Sequence, residues 1–193
     1  MSAVREEDRP DVRELVARAV NSGHLEAREG KIGDVERVAA LGRVWTFGAA
    51  LWRLKYANDH RSYRFALGGL IRAGAREVGI RRSNASAMDL LRRAGVQALR
   101  EWLLPNCWEC GGAGSSFNAD RMRLVSVCPV CNGTGARPWT QTARAGALRI
   151  DVSAFRNGPW ERRLDALCAI IRRTDAEVGA RVKRQLGIRE PRR

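Results

Sequence analysis

The chain is poor in the groups that most enzymes use. It has two histidines, His24 and His60, each alone in polar surroundings, and no Walker-type phosphate loop. Its acids are not clustered but scattered among arginines on helical segments, where pairing four residues along a helix is their expected use. These absences argue against a nuclease or other hydrolase, and the expectation is a protein that is not an enzyme. No apolar run approaches the roughly 20 residues of a membrane span. The first residues, MSAVREEDRPD, lack the apolar core of an export signal, so a cytoplasmic location is expected. No convincing β pattern precedes residue 107.

Acidic residues are also in short supply. Lys and Arg number 35 against 21 Asp and Glu, a formal net charge of +14, and nearly all the cations are Arg. A genome rich in GC explains Arg over Lys but not the surplus over acids. Arginine's planar fork of donors suits phosphates and guanine edges. The expected partner is therefore a polyanion, with nucleic acid ahead of a membrane surface or an acidic protein.

Periodicity predicts a mainly α protein. Residues 1–33 read as an N-terminal lead, mobile or loosely docked, with a short helix from Asp11 to Val20. A helical body spans 34–105. Its first helix starts at Asp34 and breaks at Asn58-Asp59; its second runs from about Ser62 to Gly79, with Phe65, Leu67, Leu70 and Ile71 in the apolar stripe. The third is capped by Asn84 or Ser86 and stopped by Pro105. Residues 106–136 form a Gly- and Cys-rich insertion, in which Arg121–Val127 alternates like one arm of a β-hairpin. Helical pattern returns over 137–188, and 189–193 is a short basic tail.

The insertion carries the most specific signal. An eight-residue pattern, C-x-x-C-x-G-x-G, occurs at 107–114 and again at 128–135. Cys107, Cys110, Cys128 and Cys131 thus form C-x2-C-x17-C-x2-C. Two residues between paired cysteines let both sulfurs reach one metal, and the longer gap can make a hairpin that brings the second pair opposite the first. Four thiolates fill a tetrahedral shell, so the expected cofactor is one structural Zn2+ per chain, with no open coordination position. Disulfides are disfavoured in a chain with no export signal. A redox dithiol would account for one C-x-x-C but not for two with matched glycines. Cys168, on a stripe with Leu164, Leu167 and Ile171, reads as a buried apolar residue.

Residues 140–157 fit the pattern of a C-terminal helix-turn-helix. Ala145 is the small residue of the first helix, Ile150 points inward, Asp151 caps the second helix, and Ala154 and Phe155 face the core. The turn position that is usually Gly holds Arg149. The second helix would expose Val152, Ser153, Arg156 and Asn157, of which Arg and Asn match guanine and adenine edges. Arg144, Arg149, Arg162 and Arg163 would surround that face and meet phosphates. An ordinary helical hairpin with solvated cations is the plain alternative.

The paired "CWECGGAG" and "CPVCNGTGARPW", the helix-turn-helix and the closing "PWERRLDALCAIIRR" resemble the Q-type late antitermination proteins of lambdoid phages and prophages. The resemblance covers about residues 62–187. It implies a protein that binds double-stranded DNA beside a late promoter in a bacterial host cell. It further implies engagement of paused RNA polymerase near its flap and sigma factor, and read-through of terminators. The same cysteine pattern also builds the peptide-binding zinc region of J-domain chaperones. That region usually has four copies, whereas this chain has two and lacks a His-Pro-Asp loop and a Gly/Phe-rich linker. The number of copies of the chain that assemble is left open by both readings.

Overall fold

The computed structural model describes residues 11–15, 46–118, 123–125 and 127–187. The fold is mainly helical: α1 (Thr46–Tyr56), a 3-10 turn (His60–Ser62), α2 (Tyr63–Glu77), α3 (Ala85–Leu103), a ribbon of β1 (Ser116–Asn118) and β2 (Arg123–Val125), then α4 (Gln141–Leu148), α5 (Val152–Asn157) and α6 (Trp160–Gln185). No described helix is long and apolar enough to cross a membrane. The chain divides into two compact units, one built from residues up to 74 with those from 169 onward, the other from 75–168. The division falls inside α2 and α6 rather than at the composition changes near 105 and 137.

In the first unit, α1 ends where Asn58 takes a left-handed conformation, φ 52°. Asp59 then caps the 3-10 turn, accepting from the Arg61 N–H at 3.0 Å and the Ser62 hydroxyl at 2.7 Å. Val12, Ala49, Trp52, Val178, Val182 and Leu186 form one buried cluster with Tyr56 packed against it. The Trp52 indole lies against Gly179 and its Nε1 donates to the Asp175 carbonyl at 3.3 Å. The Asp175 carboxylate accepts from the Tyr56 hydroxyl at 3.0 and 3.1 Å and from Arg13 at 3.4 Å.

These contacts dock residues 11–15, part of the lead expected to be mobile or loosely docked. Val12 is 5 % exposed and Arg13 is tied to Asp175, so burial and charge both hold this segment. The remainder of 1–33 and the start of the helix at Asp34 lie outside the described residues. Phe65 corrects an expectation. It is 65 % exposed, because the buried face of α2 is set by Ala66, Leu67 and Leu70 and Phe65 stands off it.

In the second unit, Asn84 caps α3, its side-chain oxygen accepting from the Ala87 N–H at 3.0 Å. The helix ends at Leu104, whose N–H closes on the Arg100 carbonyl at 3.0 Å, and Pro105 prevents a further turn. Leu91, Ala94, Ala98 and Leu99 of α3 are fully buried, as are Ala145, Leu148, Phe155, Leu164 and Leu167. Helix α3 packs on α4, and α4 on α5. The ribbon is antiparallel, with Phe117 opposite Leu124. Its second strand lies within the alternating stretch Arg121–Val127, of which residues 121, 122 and 126 lie outside the described residues.

Burial, and next the negative charge of Asp175, push the Tyr56 phenol above its ordinary value of 10.0. Folding therefore favours the protonated phenol. That contribution is complete below about pH 10 and is lost as pH rises through the elevated folded value. Tyr56→Phe should cost roughly 1–2 kcal/mol at neutral pH through the lost hydrogen bond to a carboxylate. It should also flatten the decline in stability above about pH 10, as read from urea midpoints on either side of that value.

Candidate metal centre and basic surface

The two cysteine repeats fold as copies of one another. The Cys107 N–H donates to the Gly135 carbonyl at 2.8 Å, and the Cys128 N–H donates to the Gly114 carbonyl at 2.8 Å. Each repeat thus closes the other. Within each, the last glycine returns an N–H to the second sulfur: Gly114 to Cys110 Sγ and Gly135 to Cys131 Sγ, both at 3.3 Å. Gly114 (φ 75°) and Gly135 (φ 70°) are left-handed, and a Cβ on either would strike the carbonyl oxygen of Gly133 or Gly112 respectively. Both the turn and the close approach therefore require glycine.

This backbone frame gathers the sulfurs. All four Sγ atoms lie within 4.8 Å of one another, with Cys107 and Cys128 4.0 Å apart and Cys110 and Cys131 3.7 Å apart. A tetrahedral ion with bonds of about 2.3 Å to sulfur needs about 3.8 Å between its ligands. Disulfide bonding requires about 2.05 Å, and none of the five cysteines is in a disulfide. The four thiols can hold a metal ion, and three of them are buried. Burial would raise the Cys110 thiol, but the N–H groups of Gly112 and Gly114 and the neighbouring thiols hold it down at about 7. At Cys128 the Cys131 N–H pulls downward, yet burial and the thiols of Cys131 and Cys110 carry the group up to about 11. A cation bound by all four sulfurs would displace the protons that remain.

After the metal centre, Thr140 caps α4, accepting from the Ala143 N–H at 3.1 Å. Ala145 and Leu148 are fully buried. Arg149 then turns the chain in the left-handed region (φ 57°, ψ 46°), its N–H closing on the carbonyls of Ala145 and Gly146. So the position expected to need Gly does adopt the conformation that favours Gly. Asp151 caps α5, accepting from the Ser153 N–H at 2.7 Å and hydroxyl at 2.5 Å. The Ser153 hydroxyl, and then the backbone N–H groups, hold this carboxyl below its ordinary range. Phe155 is fully buried. Ala154, expected beside it in the core, is exposed, since a six-residue helix presents little more than one large side chain inward.

The expected nucleic-acid contacts divide into three groups. Arg149, Arg156, Asn157 and Arg162 are exposed. Arg156 is oriented by Gln141, whose oxygen accepts from Nε at 3.0 Å and whose amide donates to Glu161 at 2.8 Å. Ser153 is exposed, but its hydroxyl is spent on the Asp151 cap, and Arg163 lies half-buried over the Trp160 ring at 4.8 Å. Arg144 is a correction. It grips Glu101 through two bonds of 2.9 and 2.6 Å and reaches Asp165 at 3.2 Å. Glu101 also lies 3.8 Å from the Cys168 sulfur, so Arg144 joins α4 to α3 and is not a free cation.

A basic recess went unrecognised in the sequence. Asp89, Arg92, Arg93, Val96, Gln97, Arg100, Ala147 and Arg149 line a cavity of about 470 Å3 between α3 and α4. Their spacing along α3 was a readable signal, but the arrival of Arg149 from another helix was not. No family model matches the chain, and no curated protein matches it.

Arg149→Gly removes a left-handed non-glycine residue and should raise stability by roughly 0.5–1 kcal/mol, the relief exceeding the added freedom of the unfolded chain. Glu101→Gln strips the partly buried Arg144 of its carboxylate partner and should cost roughly 1.5–3 kcal/mol. Denaturant midpoints of the two variants, shifted in opposite directions, check both.

Proposed function

We propose that the four cysteines hold one structural zinc ion and that the chain binds double-stranded DNA through α4, the Arg149 turn and α5. In this reading it acts as a Q-type late antitermination factor on bacterial RNA polymerase. Zinc suits the donor set. Sulfur separations of 3.7 and 4.0 Å match a tetrahedral shell, and N–H groups from Gly114 and Gly135 support two of the thiolates. A closed four-sulfur shell leaves no position for substrate, so the metal would supply folding energy rather than chemistry.

The observation that carries the DNA reading is the turn. A buried Ala145, a left-handed Arg149 and a capped α5 support the reading, since a helix-turn-helix uses a tight turn to present the outer face of its second helix. That face bears Arg156 and Asn157, with Arg162 just beyond it. Arg156 would read a base edge, while Arg162 and Arg149 would meet phosphates. Promoter-adjacent binding and polymerase engagement rest on the resemblance of the cysteine repeats and C-terminal helices to the antitermination proteins.

Elemental analysis should find one zinc per chain, released as pH falls because protons compete for the thiolates. Cys107→Ser should unfold the insertion, and well-folded protein without metal would contradict the zinc assignment. For DNA, Arg156→Ala should relax base preference at one position by roughly 1–3 kcal/mol. Arg162→Ala should weaken all sequences alike and lower the salt slope by about 0.9. Binding like the parent at low and high salt in both variants would reject this docking face. Transcription past a terminator, with purified polymerase and the promoter beside the gene, tests the antitermination role; no added read-through would favour the peptide-binding alternative.

A further inference from the structure

The second unit carries a run of contacts that recognition of duplex DNA by α5 does not use. Trp108, in the first cysteine repeat, is 60 % exposed. The Arg137 guanidinium lies over its ring at 5.5 Å and over the Trp139 ring at 4.5 Å. On the other side of this ladder the Arg100 guanidinium lies over Trp139 at 5.6 Å. Arg100 also lines the basic recess, together with Arg92 and Arg149. The acid of that recess, Asp89, is taken by Arg93, which also donates to the Leu148 carbonyl at 3.0 Å. Among the described residues no carboxylate pairs with Arg92, Arg100 or Arg149.

Two features thus adjoin through Arg100: a recess with three uncompensated guanidinium groups, and an indole with one face held by a cation and the residue largely in solvent. A duplex offers phosphates but keeps the faces of its bases stacked inside, so an aromatic platform gains nothing from it. An unpaired strand offers both. The strain at Arg149 points the same way. Glycine would form that turn without strain, and what arginine adds is a guanidinium on the recess.

We propose that this strip is a binding track for single-stranded nucleic acid, with a backbone phosphate in the recess of Arg92, Arg100 and Arg149 and a base stacked on Trp108. The track shares Arg149 with the proposed duplex face but not Arg156 or Arg162, whereas Arg92, Arg100 and Trp108 belong to it alone, so the two readings separate at those residues.

Labelled oligo(dT) and oligo(rU) of about ten nucleotides, titrated onto the full zinc-loaded chain, test it by fluorescence anisotropy. The chain should bind at least one of them. Trp108→Ala should weaken that binding roughly 5- to 100-fold. Arg149→Gly should weaken it too and lower the salt slope by about 0.7, although the same substitution makes the protein more stable. Arg156→Ala should leave it unchanged. Should Trp108→Ala disturb the insertion, Arg149→Gly and Arg92→Ala, both remote from the cysteines in sequence, carry the test. Failure to bind either oligonucleotide overturns the track, as does parental affinity in Arg149→Gly and Arg92→Ala. Loss in Arg156→Ala alone would place the strand on α5 and equally overturn it, whereas failure of duplex binding alone would count only against the helix-turn-helix.

Discussion

Four sulfur atoms held within 4.8 Å of one another are the constraint on which the second unit is organised. They close a hairpin whose two ends then run side by side: Asn106 bridges Ala136, and the Arg137 N–H donates to the Pro105 carbonyl at 2.8 Å. The chain therefore leaves the insertion where it entered, at the end of α3. This return sets α4 against α3 and allows Arg144 to find Glu101 from 43 residues away. It also stacks Arg137 and Arg100 on Trp139. Thiols alone supply little attraction for one another, and a dication that binds them as thiolates turns the same crowding into cohesion. The insertion is thus a staple between helices, and its own surface contributes Trp108 as a second consequence.

The turn at Arg149 shows a different balance. A left-handed arginine costs about 1–2 kcal/mol relative to right-handed backbone, and the capping bonds to Ala145 and Gly146 and the buried Leu148 hold it there. Retaining arginine at such a place is consistent with a use for its side chain at an anionic surface. The cations of this unit accordingly fall into two kinds. Arg144 and Arg93 are committed to carboxylates and knit α3 to α4 or to itself, while Arg92, Arg149, Arg156 and Arg162 face solvent. Counting arginines in the sequence overstates the charge available to a polyanion, since the paired ones are already neutralised.

Much of this is legible in the sequence. The cysteine spacing identifies the four sulfurs because ligand geometry allows few alternatives. Asn84, Pro105 and Asp151 mark helix ends because capping and proline chemistry are local. Arg149 was recognised as the turn position although it is not glycine, since the flanking Ala145 and Phe155 set the frame. What could not be read depends on contacts between distant segments. Arg144 looked like a free cation until Glu101 and Asp165 were beside it. Ala154 and Phe65 looked buried because periodicity gives the apolar face only to within a residue. Val12 and Arg13 looked loose because Trp52, Tyr56 and Asp175, which receive them, come much later in the chain.

In the proposed reading the two repeats complete one closed metal shell. X-ray absorption at the zinc edge, on protein purified without added metal, tests it most directly. A single shell of four sulfurs at about 2.3 Å with no lighter scatterer is expected. A shell containing nitrogen or oxygen, or protein that is folded and holds no zinc, would contradict it.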